Sequence, residues 1–412
     1  MFDVAASCLV LTAVLAYLNH RYVGLPTTIG VMGIALLLSL VLVGLDKLGL
    51  SALRDYEVSF LLSIDFSDVL MQGMLSLLLF AGALHVDLSE LDSYKWQVGI
   101  LAVFGTLVST MLVGFGVWHI LPLTGITLPL SYCLIFGALI SPTDPIAVMG
   151  ILKSAGAPKN LEIVITGESL FNDGISVVLF SLLLGMVAGG GTPTLTHGAI
   201  LLLQEAGGGI VFGFALGYIT YRMLKSINSY QLEVLITLAS VMGGYALASR
   251  LHVSGPLAMV VVGLLIGNHG RAWAMSDKTR DHLDMFWELL DEILNSVLFV
   301  LLGLEVILIS FSANVVLAMA AVILITLGAR LLSVGVPIRL FHKAFRLPHG
   351  SWQVLSWGGL RGGISVALAL SLPAGPVRDV ILALTYSVVV FSILGQGLSI
   401  GALVRKAIPR SG

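Results

Sequence analysis

Apolar residues in this chain do not alternate, nor do they keep to one helical face; they continue around it for about 20 positions at a time. Helix of that length crosses roughly 30 Å of hydrocarbon. The sequence contains thirteen such runs, near 3–19, 25–45, 66–86, 96–119, 127–151, 160–188, 197–222, 229–250, 253–268, 285–309, 312–338, 350–372 and 377–403. Runs without a polar side predict helices surrounded by lipid or by one another, so the expected fold class is an all-α polytopic membrane protein. The stretch 46–65 separates two runs and reads as an external loop or an interfacial helix. The first twenty residues carry Asp3 in place of a basic n-region and show no small-residue cleavage site, which predicts a retained first helix.

Two runs are interrupted. The fifth holds Ser141-Pro142-Thr143-Asp144-Pro145 and the twelfth Gly358-Gly359-Leu360-Arg361-Gly362-Gly363. Proline lacks the N–H that a helix interior needs, and bare backbone at membrane depth is tolerated only where it lines a cavity or packs on protein. Runs 1–6 and 8–13 can be laid over each other with run 7 between them, and an odd linker inverts the second set. The predicted organisation is one transmembrane domain: a first repeat over about 1–190, a linker helix near 197–222 and a second repeat over about 229–405. In that register the two interruptions coincide, which predicts discontinuous helices 5 and 12 crossing at the midplane. Matching breaks in two inverted halves are a pointer to the substrate site of a secondary transporter.

Composition narrows the class further. The chain has 412 residues, 57% hydrophobic and 11% charged, with mean hydropathy +1.02, far from the roughly 25% charged of soluble domains. A net charge of -2 without a basic block excludes nucleic acid as a partner. Cys8 and Cys133, both in apolar runs, make neither a disulfide framework nor a thiolate metal site. There is no Walker-type loop, so no nucleotide is expected, and no soluble regulatory domain is expected either. Of the 21 Lys and Arg, fifteen fall in alternate loops and the C-terminal tail, among them Lys95, Lys153, Lys159, Arg222, Arg271, Arg339 and Arg405. Basic residues stay cytoplasmic. The expected topology is multi-pass in the cell membrane, with the N-terminus outside and the C-terminus inside.

An ionisable residue at membrane depth is a functional candidate by default. Ser169 and Asp173, four apart in run 6, face one way, and Glu168 and Asn172 form a second such pair turned by about 100°. A carboxylate, a hydroxyl and carbonyls released by a broken helix form a hard oxygen set suited to a cation such as Na+. The candidate ion ligands are Asp173, Asp144, Ser169 and Thr143, with Asn172 beside them. One carboxylate cannot hold a proton and a metal ion together, so the two compete for Asp173. Asp144 followed by Pro145 also reads as a helix N-cap with proline at the first helical position, a start that would aim its positive end into the cavity. Arg330 and Arg361 both fall inside runs, and Glu168, turned away from the ligand side, is expected to pair with Arg361. The acids of run 10 and Glu305 read as funnel or contact residues, and Asn295 as a helix-packing amide or a hydrogen-bonding group at the crossing.

At Thr143-Asp144-Pro145, at Gly167-Glu168-Ser169-Leu170-Phe171-Asn172-Asp173-Gly174 and at Trp357-Gly358-Gly359-Leu360-Arg361-Gly362-Gly363 the sequence resembles the electroneutral sodium/proton exchangers of the cation/proton antiporter superfamily. The resemblance spans essentially the whole chain. It implies thirteen spans with inverted repeats, a homodimer in lipid, and a six-helix core that shifts against a dimerisation domain. It also implies that Asp173 carries the ion and the proton, that Asn172 marks the electroneutral type, and that Glu168 and Arg361 form a structural pair. Some relatives place a Glu after a Phe in run 3; here Phe80 is followed by Ala81.

The expected activity is thus exchange of Na+ or Li+ for H+, without cofactor and without catalysis of a chemical reaction. K+/H+ exchange on the same fold is the alternative, because ligand types do not separate the two ions. An intramembrane aspartyl protease using Asp144 and Asp173 lacks the glycine-flanked aspartates that chemistry needs, and uphill ion accumulation would exclude a passive channel.

Overall fold

Long apolar runs whose backbone must satisfy itself become helices, and the computed structural model is all-helical throughout the residues it describes, 2–47, 58, 74–188, 203–271, 274–308 and 312–408. In chain order the helices are α1 (Phe2–Leu18), α2 (Thr27–Lys47), α3 (Leu75–Leu84), α4 (Lys95–Thr124), α5 (Leu130–Ile140), α6 (Ile146–Ala155), α7 (Lys159–Ala188) and α8 (Gly208–Lys225). They continue with α9 (Tyr230–Arg250), α10 (Gly255–Gly270), α11 (Asp277–Leu304), α12 (Ala313–Leu340), α13 (Ser351–Trp357), α14 (Gly363–Leu370) and α15 (Pro376–Ala407). Among them α2, α4, α7, α9, α12 and α15 are long and apolar enough to cross a bilayer, and α3, α5 and α10 are shorter apolar helices. The expected loop or interfacial helix at 46–65 falls almost entirely outside the described residues, as do the first parts of runs 3 and 7.

The helices pack as two bundles. In one, α2 lies along α11, α3 along α10, and α8 and α9 flank α10; in the other, α4 packs on α5 and α12, α6 on α15, and α14 on α5 and α15. Long α7 belongs to the second bundle and touches α3 and α10 of the first. Trp287, fully buried in α11, packs tilted against Phe80 with ring centroids 4.6 Å apart and donates its Nε1–H to Thr237 Oγ1 at 3.2 Å. This polar end is satisfied inside an apolar cluster, as a buried indole requires.

The close approach of α3 and α10 depends on Gly267. A Cβ there would sit 2.1 Å from the Leu84 carbonyl oxygen, and small residues are what let membrane helices come together. Next to it Asn268 fastens the end of α3, donating from Nδ2 to the Val86 carbonyl at 2.9 Å and accepting the Leu88 N–H at 2.8 Å. Gly267→Ala is expected to lower stability by about 1–3 kcal/mol through overpacking. Gly243→Ala, at an exposed helical position with open space around it, is expected to leave the melting midpoint in detergent unchanged or slightly raised. Equal midpoints for the two variants would contradict the packing.

Candidate functional site

Both interrupted runs are broken where the sequence places the breaks. Helix α5 ends at Ile140 and α6 begins at Ile146, with Pro145 rather than Asp144 in the capping position. Helix α13 ends at Trp357 and α14 begins at Gly363. The two unwound stretches meet: the Asp144 N–H donates to the Leu360 carbonyl at 2.7 Å.

Unwinding frees backbone groups that each need a partner at membrane depth, and neighbouring side chains supply them. The Arg361 N–H donates to Ser392 Oγ at 2.8 Å, and Gln396 Nε2 donates to the Trp357 carbonyl at 2.8 Å. Ser392 and Gln396 both lie in a wide turn of α15, Phe391–Gln396. On the other strand of the crossing, Arg361 Nη1 donates to the Ser141 carbonyl at 2.6 Å and to the Pro142 carbonyl at 3.0 Å. Ser141 Oγ in turn donates to Gly137 O at 2.7 Å.

The partner of Glu168 is Arg330, not the expected Arg361. Arg330 Nη2 donates to Glu168 Oε2 at 2.9 Å, Nη1 bonds Oε1, and Nε and Nη2 also reach the Leu355 carbonyl at 3.3 and 3.2 Å. Both side chains are buried. The physical reason is that Arg361 is engaged by the carbonyls of the first break, while Arg330 passes beside Gly359, where a Cβ would lie 2.5 Å from its Nε. A wide turn at Leu331–Gly335 follows Arg330 directly.

Asn172, expected beside the ion ligands, reaches Thr143. Its Nδ2 donates to Thr143 Oγ1 at 2.8 Å and its Oδ1 accepts the Thr143 N–H at 3.3 Å. Thr143 Oγ1 is shared further with Ser169 Oγ at 2.8 Å. Asn172 and Ser169 therefore hold Thr143 in position, and neither lines the cavity below. Asp144 packs on Gly362, where a Cβ would lie 2.5 Å from Oδ2, at the N-terminal and partly positive end of α14.

A cavity of about 80 Å³ opens at the crossing, room for two or three waters at ~30 Å³ each. Thr143, Asp144 and Asp173 line it together with Thr166 and Ser365 from the second bundle, and Leu78, Leu79, Gly82, Asn295 and Leu298 from the first. Asp173 is 7% exposed and makes no hydrogen bond or ion pair among the described residues. The Asp144 carboxylate is within electrostatic reach of it and of Asp291. Sequence reasoning missed Thr166 and Ser365; the second stands two residues past the break in run 12, which is the signal that could have found it.

An all-helical membrane protein with two crossed broken helices, a small cavity between them and, among the described residues, a buried carboxylate there without a partner has the features of a secondary ion transporter. Comparison with known proteins agrees. The family described as "Sodium/hydrogen exchanger, transmembrane" matches residues 10–406. The Na(+)/H(+) antiporter NhaP of Pseudomonas aeruginosa is 57% identical over 410 residues, 98% of this chain and 97% of that protein. The Na(+)/H(+) antiporter NhaH of Halobacillus dabanensis is 37% identical, over 93% of this chain and 96% of its own. The solved structure of the sodium proton antiporter MjNhaP1 of Methanocaldococcus jannaschii shares the fold, with TM-score 0.70 at 20% identity, over 93% of this chain and 99% of that one. The chain belongs to the sodium/hydrogen exchanger family and is a multi-pass membrane transporter, not an enzyme.

Removing one member of a buried ion pair costs about 3–5 kcal/mol. Glu168→Gln and Arg330→Gln are each expected to lose that much, and a double-mutant cycle between them should return a coupling of at least about 2 kcal/mol. A cycle whose larger coupling lies between Glu168 and Arg361 would reassign the pair.

Proposed function

We propose that this Na+/H+ antiporter of the NhaP type exchanges one Na+ or Li+ for one H+ by alternating access, with both ions competing for Asp173. The observation that carries this reading is the unpaired, buried Asp173 carboxylate in the wall of the cavity at the crossing. Charge balance supports the one-for-one ratio. Three carboxylates at the crossing, Glu168, Asp144 and Asp173, stand against two guanidiniums, Arg330 and Arg361. One negative charge is left, and one proton or one Na+ neutralises it. Burying a net charge is costly, so the reorienting protein is favoured with one ion or the other aboard.

In this mechanism Asp173 and Asp144 face the cation, and the Thr143 carbonyl is the backbone ligand left over when Arg361 takes those of Ser141 and Pro142. Ser169 and Asn172 orient Thr143. An Asp in place of Asn172 would remove the amide donor to Thr143 and add a second charge. The thirteen-span arrangement with inverted repeats over about 1–190 and 229–405, the outside N-terminus and cytoplasmic C-terminus, and the homodimer belong to the same proposal. They rest on the spacing of the runs, the distribution of Lys and Arg, and the family resemblance.

The test is proton movement in sealed proteoliposomes on addition of Na+, Li+ or K+ separately. Na+ and Li+ should each drive it; a response to K+ alone would replace the Na+ assignment by K+/H+ exchange. Asp173→Asn should abolish the signal while leaving a folded protein, and retained exchange would remove Asp173 as the carrier. Because protons and Na+ compete, the half-saturating Na+ concentration should rise about tenfold for each pH unit on the acid side of the carboxyl titration, and be flat on the alkaline side, with the maximal rate at saturating Na+ little changed.

Potential dependence separates the stoichiometry. A net charge crossing the membrane is subject to about 2.3 kcal/mol per 100 mV, whereas one-for-one exchange moves none. Turnover should change less than twofold when a 100 mV potential is imposed, a size set by that figure. A steep dependence would end the one-for-one claim.

A further inference from the structure

The oxygens considered so far all lie on the first broken helix and on α7. A cation leaving water must exchange its hydration shell for protein oxygens, and the wall supplied by α3 offers none: Leu78, Leu79 and Gly82 line it, and Ala81 is buried beside them. The second broken helix fills that need. Ser365, in the first turn of α14, is 1% exposed and lines the cavity, and its Oγ has no hydrogen-bond partner among the described residues. A helical serine usually returns its hydroxyl to a carbonyl one turn back. Here the residues one turn back belong to the unwound stretch around Arg361 and Gly362, which leaves no carbonyl in place to receive it. An unsatisfied buried hydroxyl lowers stability by about 1–3 kcal/mol, so its presence at the cavity wall calls for an occupant.

Across the same cavity stands Asn295 of α11. Its Nδ2 is tied to the Asp291 carbonyl at 2.9 Å, and the residue lines the cavity. A hydroxyl with a free lone pair, a carboxamide oxygen and two carboxylates converging on one small cavity form an oxygen-only set for a hard cation.

We propose that the Ser365 hydroxyl is a direct ligand of the transported cation, an oxygen contributed by the second broken helix opposite Thr143, Asp144 and Asp173. It rests on the antiporter reading above but assigns a residue that reading does not use. Ser365 is tied to metal-ion affinity alone: the proton goes to Asp173, and a proton there needs no sixth-run or twelfth-run hydroxyl. Affinity for Na+ and affinity for H+ therefore separate at this side chain.

The experiment measures both on Ser365→Ala and Ser365→Thr. Sodium-dependent thermal stabilisation in detergent reports binding without transport, since a ligand that binds only the folded state raises its stability with concentration. In proteoliposomes at alkaline pH the same variants give the half-saturating Na+ concentration and the maximal rate. For Ser365→Ala the Na+ concentration needed should rise about tenfold in both assays, equivalent to about 1.4 kcal/mol of lost binding. The maximal rate should stay within about twofold of wild type on that same scale. Without Na+, the Ala variant should melt no lower than wild type, because it removes an unpaired buried hydroxyl. Ser365→Thr keeps the hydroxyl and should restore Na+ affinity.

Proton affinity is the readout that a merely structural role would move. The pH midpoint of proton uptake in the absence of Na+ should be the same in Ser365→Ala and wild type. A midpoint that shifts together with Na+ affinity would make Ser365 a residue that positions Asp173, and unchanged Na+ dependence in Ser365→Ala would remove it from the site altogether; either overturns the proposal. Wild-type protein that neither gains stability from Na+ nor moves protons on its addition would instead overturn the antiporter reading on which this rests.

Discussion

An unpaired carboxylate at membrane depth persists only when the groups around it have no claim on it. The crossing of the two broken helices meets that condition. Arg361, a buried cation of the crossing, is held by two carbonyls of the opposing break. Arg330 is held by Glu168 and by the Leu355 carbonyl. Asn172 and Ser169 are engaged with Thr143. Arg361 is occupied by carbonyls that the first break exposes, while Arg330 is taken up by Glu168 and Asn172 by Thr143, so the surroundings of the breaks engage the cations that would close the site. Polar networks of this kind in a low-dielectric setting are tolerated where their members are satisfied, and Asp173 is the carboxylate at the crossing left without a hydrogen bond among the described residues.

Much of this was legible in the chain. The breaks are legible because proline and paired glycines have one meaning inside an apolar run, and Asp173 is legible because an acid there has no structural excuse. The pairing of Glu168 was not. Arg330 and Arg361 both lie in apolar runs, and the expected pairing of Glu168 with Arg361 rests on Glu168 being turned away from the ligand side. What the linear pattern omits is that a break frees carbonyls as well as space, and that a guanidinium beside them has a nearer obligation than a carboxylate. Arg330, in an uninterrupted run, gave no sign of its direction; that depends on helix phase and on the wide turn at Leu331–Gly335, which hydrophobic periodicity does not encode. The same limit hid Ser365, an ordinary helical serine until the turn before it is known to be unwound. Asn172, expected beside the ligands, is bonded to Thr143, and an amide can hold a ligand in place as readily as be one.

The division of the cavity between bundles gives the proposed exchange its mechanical form. Thr143, Asp144, Asp173 and Ser365 belong to one bundle, whose two breaks are tied to each other across the crossing; Leu78, Leu79, Gly82, Asn295 and Leu298, most of them apolar, line the cavity from the other. Displacing one bundle along the other breaks none of the hydrogen bonds that fix the two breaks to each other, including that between Asp144 and Leu360. In the proposed exchange the site would travel as a unit while its covering wall changes. Such a wall favours sliding, because dispersion contacts between aliphatic side chains are non-directional and re-form in a new register, whereas hydrogen bonds at the crossing are directional. An empty, deprotonated Asp173 would carry a bare charge past Leu298 and Leu79, which desolvation opposes. With a proton or Na+ bound the same passage meets no such barrier, and coupling of the two ion fluxes follows from the cost of moving the unoccupied site.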